Sequence, residues 1–223
     1  MTPFKQILDL SVPLKSMDTP LFPGTPMPLR TTYQTVQSSG FLAYVWLFHE
    51  HSGTHVDSPA HMVNDGMTID QVPLDYFVCN GMVLDFSGKP KYQITRDDVK
   101  KFLESSGHLR DITNGIGNWV LLFYTGYTAK SKDADWLDSP DLTEDACKYF
   151  VELGSIRAIG IDAFGPDHAP WSAHRTLLPN NVLIFENLAN LDKLVGKEFM
   201  FVGVPISLFG GSAGLVRPIA LVS

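Results

Sequence analysis

His51-Ser52-Gly53-Thr54-His55-Val56-Asp57-Ser58-Pro59-Ala60-His61 places three imidazoles and a carboxylate within eleven residues. Side chains alternate along an extended chain, so His51, His55 and Asp57, separated by even steps, can leave one strand or strand end on the same face. A helix is disfavoured here. Gly53 and Pro59 oppose helix interiors, and the preceding run, 41–48, is rich in aromatic and β-favouring residues. Two neutral imidazoles and a carboxylate converging on one point suit zinc or manganese and leave a coordination position open for water. A lone histidine is more often a surface or locally hydrogen-bonded residue than a ligand, but four ligand-type residues at regular spacing shift that balance. His49 shares the parity of His51, and spacing alone does not choose between them.

Outward from this stretch, the run 41–48 reads as a strand, apolar on both faces except for Tyr44, that delivers the histidines from its C-terminal end. Upstream, 7–12 reads as a short strand, after which Pro13, Pro20, Pro23, Pro26 and Pro28 impose irregular structure. The loop Leu21-Phe22-Pro23-Gly24 can lie over the core, the commoner case, or wall a pocket. Downstream, Asn64-Asp65-Gly66 marks a turn, and 68–76 holds a helical turn broken by Pro73. Runs 81–86, 119–125, 157–163, 182–185, 200–204 and 215–222 read as strands. Thr95 with Asp98 resembles a capping box for a helix bearing Val99, Phe102 and Leu103, closed by Gly107. Thr143 caps a second helix, 144–153, stopped by Gly154, with Cys147 on its core side. After Thr125-Gly126 the chain turns into a charged, exposed segment. Asp162 near a strand end, Glu186 at the end of a buried strand and His174 upstream are further candidates for function. The glycines of 208–214 lack the following helix of a phosphate loop and suggest a tight backbone turn near the site.

A chain of 223 residues with 44% hydrophobic and 18% charged residues and no low-complexity linker is expected to form one domain. Its formal charge of -7, with no basic cluster, disfavours nucleic acid and anionic membranes as partners. The first ten residues do not resemble a signal peptide, and no run approaches the roughly eighteen apolar residues of a membrane span. Cys79 and Cys147 are far apart, so no disulfide framework is indicated. A cytoplasmic protein acting on a small molecule is the expectation.

The eleven-residue stretch resembles the H-x-G-T-H-x-D-x-P-x-H signature of the cyclase family of metal-dependent hydrolases, which includes bacterial kynurenine formamidase and isatin hydrolase. The resemblance extends to Asp9-Leu10-Ser11, Phe22-Pro23-Gly24, Tyr124-Thr125-Gly126-Tyr127, Gly160-Ile161-Asp162 with Asp167, His174 and Leu183-Ile184-Phe185-Glu186-Asn187-Leu188. It implies a single α/β domain with a central, largely antiparallel, β-barrel-like core and peripheral helices, assembled as a dimer or tetramer. It also implies that His51, His55 and Asp57 bind a first metal, excluding His49, and that His174 and Glu186 complete a two-metal site bridged by Asp57 and Glu186. Zinc, as one or two ions, or manganese would fill it, with His61 as proton donor and acceptor. The implied reaction is hydrolysis of N-formyl-L-kynurenine to L-kynurenine and formate. Phe22 stands where kynurenine formamidases carry a substrate-contacting tryptophan, Thr25 where an aspartate follows the glycine, and Ala163-Phe164-Gly165 where a small hydroxyl-bearing run is expected. These departures make a family member that opens a cyclic amide or ester the second expectation. A metal-stabilised binding protein without turnover is the third.

Overall fold

The computed structural model describes residues 4–19, 21–128 and 138–223. Pro20, residues 1–3 and the part of the charged segment that falls in 129–137 lie outside the described residues. In chain order the strands are β1 (Gln6–Asp9), β2 (Leu29–Gln34), β3 (Ala43–Leu47), β4 (His55–Asp57), β5 (Val78–Asp85), β6 (Gln93–Ile94), β7 (Trp119–Tyr124), β8 (Asp141–Leu142), β9 (Ile156–Ile161), β10 (Leu183–Glu186), β11 (Phe199–Val202), β12 (Ala213–Leu215) and β13 (Ile219–Val222). Helices α1 (Val36–Ser39), α2 (Arg96–Ser106), α3 (Leu109–Thr113), α4 (Glu144–Leu153) and α5 (Ser172–Leu177) lie between them.

Nine strands form one sheet in the order β1-β13-β11-β5-β7-β9-β10-β4-β12. The four strands at its centre, β5, β7, β9 and β10, are parallel, as their continuous apolar runs require when both faces are covered. The other five pairings are antiparallel. The sheet curls, and the connectivity shows why it must. β12 and β13 hold the ninth and second places in the order but are joined by residues 216–218 alone. Such a link reaches about 14 Å at most, whereas a flat sheet would set those strands about 34 Å apart. Beyond β1, Ser11 bridges Leu188, just past β10. The fold is a half-barrel in a mixed α/β domain.

Curling creates two cores. Along β7, Leu121 and Phe123 pack outward with Val99, Phe150 and Leu177 of the helices, and Val120 and Leu122 pack inward with Val56, Phe185 and Phe201. Helix α2 starts on the expected box, in which Thr95 Oγ1 accepts from Asp98 N, and stops at Gly107 in the left-handed region. Thr143 caps α4, and Cys147 is buried in the outer core, where desolvation raises its thiol pKa. That excludes an exposed nucleophilic thiolate there. Among the described residues no helix is long and apolar enough to cross a membrane.

Three expectations change. The apolar run 41–48 does contain a strand, but among the described residues β3 pairs only with β2, in a two-stranded ribbon on which Leu29, Tyr33, Val45 and Leu47 are exposed. Apolarity marks a surface that wants covering and does not say by what. The run 215–222 is two elements, because Pro218 has no N–H to continue a ladder and the chain bends from β12 to β13. His51 lies in the turn before β4 and not on a strand with His55 and Asp57, so the even spacing operates only for the last two.

Candidate metal centre

β4 lies between β10 and β12, and its register with β10 sets His55 opposite Glu186 and Asp57 opposite Ile184. His55, Asp57 and Glu186 therefore share one face, while Val56 and Phe185 between them enter the inner core. Local stitching holds the frame. Gly53 takes a left-handed conformation, φ 62°, and its carbonyl accepts from His55 Nδ1 at 2.9 Å and Asn187 Nδ2 at 3.1 Å. Thr54 Oγ1 accepts from Val12 N and donates to Asn187 O, tying the signature to both neighbouring segments. Pro59 opens a 3-10 turn, Pro59–His61, that carries His61 round to within 4.3 Å of the His51 ring, centroid to centroid.

The donors converge. His51 Nδ1 lies 2.9 Å from Asp57 Oδ1, and His55 Nε2 lies 3.4 Å from Asp57 Oδ1 and 3.3 Å from Glu186 Oε2. His174 Nε2 lies 3.6 Å from Asp57 Oδ2 and 3.3 Å from Glu186 Oε1. Asp57, His55, His174 and Glu186 are all buried, and both Asp57 oxygens and His55 Nε2 lack a hydrogen-bond partner among the described residues. Buried polar atoms left so are costly. Two sets, His51–Asp57–His61 and His55–Asp57–Glu186, each bring their ligand atoms within 4.8 Å of one another, and Asp57 belongs to both. A divalent cation fits this arrangement, because neutral imidazole and carboxylate are its usual donors and it removes the desolvation cost.

The protonation directions say the same. Without a cation, burial opposes a charged His55, yet the carboxylates of Asp57 and Glu186, 3.4 and 3.3 Å from its Nε2, raise its imidazole to about 10. Burial also opposes ionisation of Asp57, but His174, His51 and His55 hold its carboxyl well below the ordinary range. The cluster calls for positive charge at its centre.

Six of the seven histidines line a single cavity of about 310 Å3, His108 being the exception. His49 is among them, but its Nδ1 accepts from His51 N, and it belongs to neither ligand set. Phe22, for which a loop over the core was the commoner expectation, lines the cavity and packs edge-on against Trp171. Thr25 and Phe164 line it too. Gly165 explains part of the departure after Asp162, since a Cβ there would sit 3.1 Å from Glu186 Oε1 and 3.6 Å from His174 Cε1. Asp162 itself is outside the cavity. Its carboxylate accepts from Thr125 N, Thr125 Oγ1 and Gly126 N, tying the end of β7 to that of β9. Burial raises its carboxyl to about 6 against those hydrogen bonds.

Sequence reasoning missed several contributors. Asp167 Oδ1 is 2.6 Å from His174 Nδ1, which directs Nε2 toward the carboxylates. Trp171 packs edge-on against His174, and His168 lines the cavity with Nδ1 2.7 Å from Asp141 Oδ1. Asp167 stood within the resemblance, but its service to His174 was not legible in the sequence.

With this geometry in hand, the relatives are informative. Residues 8–168 match the Cyclase family. An isatin hydrolase of Roseibium aggregatum is 29% identical over 205 residues, covering 82% of this chain and 76% of its own length. A kynurenine formamidase of Bacillus mycoides is 26% identical over 218 residues, covering 96% of each chain. A crystal structure of an isatin hydrolase bound to the product analogue thioisatinate has a TM-score of 0.85 at 25% identity, with 97% of this chain and 92% of that one covered. A structure described as a potential metal-dependent hydrolase with cyclase activity has a TM-score of 0.76 at 27% identity, with 96% of each chain covered. The chain belongs to the cyclase family. Within that family it is related to both isatin hydrolase and kynurenine formamidase.

Proposed function

We propose that the chain is a metal-dependent hydrolase that cleaves the C–N bond of an N-aryl amide, with N-formyl-L-kynurenine the first substrate reading. The observation that supports it is one cavity in which the imidazole and carboxylate cluster faces the aromatic side chains Phe22, Phe164 and Trp171. At about 310 Å3 the cavity is near the small end of ligand sites, roughly 300–1,000 Å3, and suits a one- or two-ring compound. An isatin-like cyclic amide or ester is the second reading. It is favoured by Phe22, which supplies an apolar edge and no hydrogen-bond donor, and by the likeness to the isatin hydrolase structure.

In this proposal His51, His55, Asp57, His174 and Glu186 would hold zinc, as one or two ions, or manganese. A bound divalent cation supplies Lewis acidity and lowers the pKa of water from 15.7 to about 7. The chain's own contribution to proton movement is His61. Burial depresses its pKa, His51 and His174 depress it further, and Asp57 and Glu186 oppose them, so the imidazole is neutral near pH 7. It accepts a proton from the attacking water and returns it to the leaving nitrogen, which an arylamine needs in order to depart. Phe22 and Trp171 flank the aryl ring and exclude water.

A second copy of the chain is the proposed partner of the β2–β3 ribbon. Leu29, Tyr33, Val45 and Leu47 expose contiguous apolar surface that a monomer would leave wet.

The deciding experiment strips the protein with chelator, reloads it with zinc or manganese, and assays N-formylkynurenine and isatin side by side. Metal-dependent turnover of the first supports formamidase action, and turnover of isatin alone supports the cyclic reading. Metal binding without turnover of either would replace the hydrolase by a metal-stabilised binding protein.

A further inference from the structure

We infer that Ser212 and Glu50 are positioning residues that make His51 an Nδ1 ligand, in a site whose other imidazoles bind through Nε2. The inference rests on the reading of His51, His55 and His174 as metal ligands. A neutral imidazole carries one N–H and one lone pair, and whichever nitrogen donates to the protein leaves the other for a cation. His55 Nδ1 faces Gly53 O at 2.9 Å and His174 Nδ1 faces Asp167 Oδ1 at 2.6 Å; both partners only accept, so both rings are protonated at Nδ1 and turn Nε2 toward the carboxylates.

His51 is set the other way round. Ser212 Oγ lies 2.6 Å from Glu50 Oε1 and 3.1 Å from His51 Nε2. The carboxylate can only accept, so the serine proton goes to Glu50 and Oγ presents a lone pair to the ring. Nε2 must then carry the proton, and Nδ1, 2.9 Å from Asp57 Oδ1, is left as the donor atom.

The loop around Ser212 is built for this contact. Ser212 N donates to Glu50 Oε2 at 3.1 Å, and Ser212 O accepts from both Ser58 N and Ser58 Oγ at 2.9 Å. Gly211 passes so close that a Cβ would stand 3.0 Å from Glu50 Oε2, and Gly210 takes φ 72° to make the turn. The Gly210-Gly211-Ser212 segment, which has no phosphate-binding context, therefore has a task. It brings a hydroxyl 161 residues away in sequence to the far side of the first signature histidine.

Two measurements on the full chain test this. In long-range 1H–15N spectra of zinc-loaded protein, one ligand imidazole carries its proton on Nε2 and two carry it on Nδ1; all three protonated at Nδ1 would overturn the inference. Competition with a chromophoric chelator then compares zinc and cobalt(II) affinity in wild type, Ser212→Ala, Ser212→Thr and Glu50→Ala. Ser212→Ala is expected to weaken binding by about 10- to 100-fold and to shift the cobalt(II) visible bands, with Ser212→Thr restoring both. Glu50→Ala, at a partly exposed position that does not threaten folding, is expected to shift the same bands by a smaller amount. Unchanged affinity and bands in both alanine variants sink the inference and leave the metal reading intact. Failure of the wild type to bind either ion sinks the metal reading itself, and this inference with it.

Discussion

Two regions of the molecule invert the usual distribution of polarity. The cluster on β4 and β10 is polar and buried, with carboxylate and imidazole atoms that find no hydrogen-bond partner among the described residues. The β2–β3 ribbon is apolar and exposed. The two cores on either side of the sheet show the ordinary agreement, apolar side chains buried together. Each exception has the same physical meaning, a surface shaped for something outside the chain, and the two chemistries differ as their partners do. Unpaired buried lone pairs want a cation. Exposed aliphatic and aromatic side chains want another apolar face.

If the buried exception is a cation site, the largest effect comes from its shared ligand. Saturating zinc, at about a thousand-fold over its Kd, should stabilise the wild type by about 4 kcal/mol, visible as a fall in the unfolding midpoint on adding chelator. Asp57→Asn should be indifferent to chelator and hold no metal by elemental analysis. A wild-type midpoint that chelator does not move would break the comparison at its first term. The next effect separates holding the ion from using it. His61→Ala should retain the wild-type metal content and lose about 10²- to 10⁴-fold in turnover. Loss of metal instead would make His61 the third ligand of the set it forms with His51 and Asp57.

The exposed exception is probed by charge. Val45→Asp places a carboxylate at the middle of the ribbon and should shift sedimentation from assembled to monomeric protein while leaving metal content unchanged. A wild type that sediments as a monomer would remove the proposed partner. The smallest effect lies at the rim of the cavity, where His168 gains the Asp141 carboxylate as a hydrogen-bond partner and, despite partial burial, titrates above its ordinary value. A histidine raised in the folded state contributes stability that is fully present below about pH 6.5 and is lost as pH rises through the raised value. An NMR titration should show this ring titrating later than an unperturbed imidazole, and Asp141→Asn should bring it back. An unchanged titration in that variant removes Asp141 as the cause.

The cluster and the ribbon were also unequally legible in sequence. His51, His55, Asp57 and His61 are close in the chain, so a turn, the three-residue strand after it and one proline turn suffice to gather them, and residue type reveals the chemistry. Glu186 and His174 stood out as ligand-type residues beside a buried strand. The helices followed from their caps, Thr95 with Asp98 and Thr143, because capping is a local hydrogen-bond pattern.

Sequence by itself therefore determined the chemistry of the signature, the class of fold and the elements that short-range rules govern. The tertiary structure alone decided that β3 faces outward, that residues 215–222 bend between distant places in the sheet, and that Glu186 lies directly across from His55. It also decided which nitrogen of each imidazole is free, since Asp167, Ser212 and Glu50 have no feature of residue type that marks them as its partners. The physical reason is common to all of these. Alternation and capping are set by neighbours along the chain, whereas register, curl and the second hydrogen bond of a histidine depend on segments that only folding brings together.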